Sequence, residues 1–285
     1  NIYSFLFYLH VSIFIISIFF PQLNSSSGKN TILFFAEPSH FILSLTPIIL
    51  LFSSTYKKSL FISIFFILTF LFIKDSLIGL ILTPLVIVNY LYLRYSDSLK
   101  KILFLSISAI LGICLLSFIV LNLNILPTYY ASRLYFVENE NFSILAFLYG
   151  WESILQILSN TKYLLGIGFL NMSSFNHQSD VLETLSNYNL GHIVSNSGGF
   201  ILAKFITEFG YAAVISVFFL FYLLIKRLLY IRNKFNRYMY VDQMFVAYGF
   251  AFILEFLVRG SSYFSPNIFI FFSLFMIKNK HLHLN

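Results

Sequence analysis

Only one cysteine occurs in the chain, Cys114, and it lies inside an apolar run. Neither a disulfide framework nor a cysteine-based metal site can be built from it. Charge is nearly as scarce: Asp, Glu, Lys and Arg make up 10% of the residues, against about 25% in an average soluble domain. No metal-ligand motif of the H-E-x-x-H kind surrounds His177 or His192. Gly166-Ile167-Gly168 resembles a piece of a dinucleotide loop, but no βαβ unit surrounds it, so that reading is rejected. No repeat or low-complexity tract stands out.

Apolar residues fill the chain instead, 59% of it, with a mean hydropathy of +0.84. This is the composition of a polytopic membrane protein, an all-α transmembrane helix bundle. A net charge of +7 would suggest nucleic acid in a soluble chain. Here the positive charges fall at helix ends and read as topology signals, so no nucleic-acid partner is expected. The chain opens on Asn1 directly into an apolar run, which reads as a fragment whose upstream spans are missing.

About eight spans are expected within a single membrane domain over residues 1–285. They run from Tyr3 to Phe20, Pro38 to Phe52, Leu60 to Ile73, Ser76 to Leu93, Ile102 to about Ile125, Gly199 to Ile225, Met239 to Val258 and Ile268 to Ile277. The loops after spans two, four, six and eight carry twelve of the 18 Lys and Arg residues. The other side carries six: Lys29, Lys74, Arg133, Lys162, Lys204 and Arg259. The positive-inside rule then puts both ends in the cytoplasm and the long polar interruption, residues 126–199, outside. Side-chain chemistry collects where a chain leaves the hydrocarbon, so the functional residues are sought in this loop or on its side.

Within the loop, Ile144, Leu148, Trp151, Leu155 and Leu158 recur at three- and four-residue spacing. They predict an amphipathic helix at the interface, with the one Trp at headgroup level. Asn196-Ser197-Gly198-Gly199 caps the sixth span. At the outer start of span two, Phe35-Ala36-Glu37-Pro38-Ser39-His40 sets Glu37 and His40 one turn apart, with Pro38 suited to a first helical turn. That pair could act as base and orienter or bind a sugar, or Glu37 could simply complement the helix dipole.

Arg259, at the outer end of span seven, snorkels or binds phosphate through its planar fork. Arg133 is a further cation of this kind, and Tyr129 and Tyr130 beside it could stack on sugars. Lys204 and Glu208, one turn apart in span six, are expected to neutralise each other, since an unpaired charge at that depth is costly.

Six stretches carry a family resemblance: Phe35–His40, Lys74-Asp75-Ser76-Leu77-Ile78-Gly79-Leu80, Ser132-Arg133-Leu134, Leu165-Gly166-Ile167-Gly168-Phe169, Leu202–Gly210 and Arg259-Gly260-Ser261-Ser262-Tyr263. In these the chain resembles the O-antigen polymerases of the Wzy type, which join lipid-linked sugar repeats in lipopolysaccharide biosynthesis. The resemblance implies a bacterial inner-membrane glycosyltransferase with a large periplasmic loop, an undecaprenyl-diphosphate-linked oligosaccharide as donor, and no metal or other cofactor. A chain-length regulator and a flippase of the same pathway would be its partners. An acceptor hydroxyl would attack the donor's anomeric carbon as undecaprenyl diphosphate leaves. Arg133 and Arg259 would stabilise that leaving group, with Glu37 (beside His40) or a loop His, His177 or His192, as base. Tyr130 and Tyr263 join the two loop histidines as expected substrate contacts. An O-antigen ligase, which uses the same donor, and a flippase or transporter of lipid-linked oligosaccharide are the alternatives. A transporter should carry charge at its midplane, yet spans one, three, four, five and eight have uncharged interiors.

Overall fold

The computed structural model describes residues 2–21, 32–33, 35, 37–74, 76–94, 142–175, 179–233, 240–258, 260 and 263–282. The fifth expected span, Tyr130, Arg133, His177 and Arg259 lie outside the described residues. Among those described, the chain is helical, with one isolated antiparallel bridge pairing Ile32 with Phe35.

Ten α-helices are described: α1 (Ile2–Phe19), α2 (Pro38–Thr55), α3 (Lys57–Ile73), α4 (Leu77–Arg94), α5 (Phe142–Ser159), α6 (Asp180–Asn187), α7 (Gly191–Ser197), α8 (Ile201–Asn233), α9 (Tyr240–Leu257) and α10 (Pro266–Leu282). Four of the apolar stretches are long and apolar enough to cross a membrane: Ile2–Phe19, Pro38–Thr55, Ile201–Ile231 and Tyr240–Leu257. Shorter apolar stretches are Ile78–Leu93, Ile144–Ser159 and Pro266–Met276. These helices mark an all-α membrane protein. Helices stand at every expected span position that is described. Several run further than expected, because lysines at a helix end keep their stems along the helix and their heads in water. Thus α3 begins at Lys57 and α8 continues to Asn233.

Two compact units divide the chain. Residues 1–131, 230–251 and 270–285 form one; residues 132–229 and 252–269 form the other.

In the first unit, α1, α2 and α3 pack through phenylalanine. Phe7 stacks on Phe52 at 4.2 Å between ring centres, Phe14 lies 5.2 Å from Phe70, and Phe41 stacks on Phe70 at 5.6 Å. Lipid is as apolar as these rings, so association here rests on close van der Waals packing and not on release from water. Each aromatic pair adds about 0.5–1.5 kcal/mol. Small residues bring backbones together: Ser59 and Ser63 are buried on α3, and Gly79 of α4 sits against Leu71.

The second unit is assembled on α8. Tyr149 of α5 is fully buried and, with Ala146, Met172, Leu185 and Val194, forms a small apolar core under α6 and α7. The start of α5 is pinned beside the start of α8, with Phe147 and Trp151 at 4.8 and 5.6 Å from Phe200. The stripe Leu148, Trp151 and Leu155 is exposed. The buried face is the other one, through Tyr149, Ser153 and Ile157.

Candidate functional site

Helix α8 is interrupted. Gly210 has φ 58° and ψ −138°, outside the helical region, a conformation open to glycine and strained for other residues. A break in an apolar helix frees backbone groups that must find partners. They find them in the turn after α5: Tyr211 N donates to Leu164 O (3.0 Å), Ile167 N to Thr207 O (3.1 Å) and Gly168 N to Glu208 O (2.9 Å). The Tyr211 hydroxyl adds a bond to Leu158 O at 2.8 Å. The approach is close enough that a Cβ on Gly166, at φ 76°, would stand 2.3 Å from Glu208 O. The Gly166-Ile167-Gly168 stretch is therefore a dock for a broken helix.

The break carries a polar cluster. Glu208 has no exposed surface. Its Oε2 accepts a hydrogen bond from the Tyr263 hydroxyl at 2.9 Å, and its Oε1 lies 4.0 Å from Lys204 Nζ. No hydrogen-bond donor among the described residues reaches Oε1. Lys204 Nζ donates to Asn196 O at 3.3 Å and stands 5.5 Å above the Tyr263 ring. That ring also stacks with Phe169, at 6.0 Å between ring centres. Burial, then the bond to Glu208 and its charge, push the Tyr263 phenol well above the ordinary tyrosine value, so it remains a proton donor at working pH.

A second buried carboxyl fixes the same turn. Glu255 Oε1 accepts from Asn267 Nδ2 at 3.0 Å, and its Oε2 accepts from the Ser265 hydroxyl. Ser265 Oγ also accepts from Ile268 N at 3.3 Å, closing the first turn of α10. Gly260 lies against Ile201 and the Glu255 carbonyl. Glu255 on α9 is thus tied to the start of α10.

The expected site residues fall as follows. Tyr263 belongs to the Glu208 cluster, with its hydroxyl committed to that carboxyl. His192 is exposed on α7. Glu37 and His40 belong to the first unit. There Glu37 is the residue before the first turn of α2, its Oε2 accepts from Ser39 Oγ at 3.0 Å, and His40 is exposed. The Lys204–Glu208 pair stands as expected. Its role as the meeting point of three separate stretches was not read from sequence. The available signal was a Lys and a Glu one turn apart, followed at once by Gly210, within a long apolar run. Among the described residues no group of three His, Cys, Asp or Glu side chains could hold a metal ion. Comparison of the chain with protein-family models, curated proteins and solved structures finds no match.

Proposed function

We propose that the protein is an O-antigen polymerase of the Wzy type. It joins undecaprenyl-diphosphate-linked oligosaccharide repeats by glycosyl transfer at the periplasmic face of the bacterial inner membrane. One observation supports this reading above the others. Parts of three of the six stretches that resemble the family, which lie far apart in the chain, meet at Glu208: Ile167 and Gly168 bond the Thr207 and Glu208 carbonyls, and the Tyr263 hydroxyl bonds the Glu208 carboxyl.

In this reaction the acceptor sugar hydroxyl attacks the anomeric carbon of the donor. The bond to the diphosphate oxygen breaks and the electron pair leaves with the diphosphate. Arg259 and Arg133 take up the developing negative charge. Tyr263, held by Glu208, positions the turn that carries Arg259. Glu37 or His192 receives the hydroxyl proton.

The test is polymer length in a strain whose own copy is deleted and replaced by variants. Arg259→Lys should abolish long-chain polymer while core capped with a single repeat persists, since a point ammonium does not replace a bidentate fork. Glu37→Gln should do the same if its carboxylate is the base. Normal polymer from Arg259→Lys at wild-type protein level overturns the diphosphate role. Transfer by the purified protein to lipid A-core, with no repeat-to-repeat joining, would make it a ligase instead.

A further inference from the structure

Helix α8 carries its own depth gauge. After the break at Gly210, from Tyr211 to Tyr230, its exposed side chains are apolar or aromatic apart from Ser216, whose hydroxyl bonds Ala212 O, and Lys226, with Ile215, Phe218, Phe219 and Ile225 among them. At 1.5 Å per residue this stretch is about 30 Å long, the thickness of a hydrocarbon core. Tyrosines stand at both ends, as in an interfacial aromatic belt. The first cation, Lys226, lies 6.0 Å over the Tyr222 ring, one turn before the far end. Tyr211 therefore marks one boundary of the membrane.

The turn after α5 is tied to that boundary by the two Tyr211 bonds, to Leu164 O and Leu158 O. Leu164, Leu165 and Leu170 are exposed, Leu165 to 77%, and Phe169 is half-exposed beside Tyr263. From Ser153 to Ser179 the chain has no Asp or Glu and one Lys or Arg, the exposed Lys162. An exposed apolar tip beside a lone cation, level with a membrane boundary, is matched to acyl chains under phosphate headgroups.

We propose that Leu164–Leu170 penetrates the bilayer at the boundary marked by Tyr211, with Leu165 and Leu170 among the acyl chains and Lys162 at the phosphates. The usual objection to an irregular loop in lipid is unsatisfied backbone. Here Leu164 O, Ile167 N and Gly168 N are bonded to the helix break, and Gly166 N to Tyr163 O at 2.8 Å. The side chains can enter lipid while the bonded backbone stays satisfied. A stretch of the loop expected on the outer side thus becomes a membrane-seated wedge that sets the depth of Glu208 and Tyr263. This does not rest on the proposed reaction and holds for any chemistry at that cluster.

The experiment is a tryptophan depth measurement on the full chain in phosphatidylcholine vesicles. Trp151→Phe removes the one native Trp, and Leu165→Trp adds a reporter. Lipid brominated near the headgroup end of its acyl chains should quench most of the Leu165→Trp emission, and aqueous iodide little of it. Glu183→Trp, on the exposed face of α6, should show the reverse. Iodide quenching of Leu165→Trp equal to that of Glu183→Trp overturns the proposal. Quenching by neither reagent overturns it equally, because it places the side chain against protein, whether another segment or a second copy. If Leu165→Trp fails to fold by circular dichroism, Leu170→Trp gives the same reading. Polymer synthesis enters neither outcome, so the proposed reaction stands or falls separately.

Discussion

The two units differ in how far their polar side chains reach. In the first, the hydroxyls of Ser17, Ser44, Thr46, Ser53, Ser54, Ser63 and Thr83 all bond a carbonyl three or four residues back on their own helix, while Asn89 Nδ2 reaches Leu50 O on another helix at 2.9 Å. In the second, Ser153, Thr184 and Ser186 bond locally in the same way, but several polar side chains reach across the chain. Tyr263 bonds Glu208 over 55 residues, Tyr211 bonds Leu158 over 53, and Ser179 bonds Glu152 over 27. A hydroxyl absorbed by its own helix specifies nothing beyond that helix, whereas a long-range bond fixes two segments against each other. The first unit is therefore held mainly by shape. The second adds several directed bonds between distant segments.

The contrast breaks most severely at Gly166. A side chain there meets the Glu208 carbonyl at 2.3 Å and is forced to φ 76°. Backbone strain alone costs about 1–3 kcal/mol, and Gly166→Val adds a steric overlap that the turn cannot relieve without losing its bonds to Thr207 and Glu208. The expected outcome is loss of folded second unit, seen as protease cleavage between α5 and α8 while α1 to α4 remain protected. Wild-type protection throughout would show that the turn is not docked.

Tyr263→Phe is the next largest effect. It keeps the ring, its stacking on Phe169 and its place under Lys204, but removes the hydroxyl from a fully buried carboxyl. Leaving such a group unsatisfied costs about 1–3 kcal/mol. The thermal midpoint in detergent should fall, and on the proposed polymerase reading polymer length should fall with it. A stability loss with unchanged polymer would confine Tyr263 to structure.

Most helix positions were legible because apolar runs bounded by Lys, Pro and polar turns leave few choices; α2 starting at Pro38 is one case. Ends were less legible, since α10 runs through Lys278-Asn279-Lys280 to Leu282 where the apolar run stops at Ile277. The periodic stripe Ile144, Leu148, Trp151, Leu155 and Leu158 identified a helix but not which face is buried. Both faces of α5 are apolar, and periodicity cannot choose between them. The break at Gly210 was invisible to hydropathy, because one glycine barely changes a window average and its partners lie some forty residues upstream. Likewise the Lys204–Glu208 pair follows from helical spacing, whereas Tyr263, 55 residues on, has no local signature.

The smallest effects sharpen the comparison best, because one substitution can be made in both units. Ser63 and Ser179 are each a serine hydroxyl with a defined bond, yet they differ in what they hold. Ser63 Oγ donates to Ser59 O on its own helix at 2.8 Å. That carbonyl keeps its helical partner without it, and alanine is the better helix former. Ser63→Ala should therefore change stability by no more than about 0.5 kcal/mol. Ser179 Oγ accepts from Leu182 N at 3.0 Å, capping α6, and donates to Glu152 of α5. Losing a serine cap costs about 0.5–2 kcal/mol, and Glu152 loses a partner as well. Ser179→Ala should thus lower the thermal midpoint in detergent where Ser63→Ala leaves it unmoved. Equal shifts would mean that long-range bonds in the second unit contribute no more than local ones in the first, and the division between shape and directed bonding would fail.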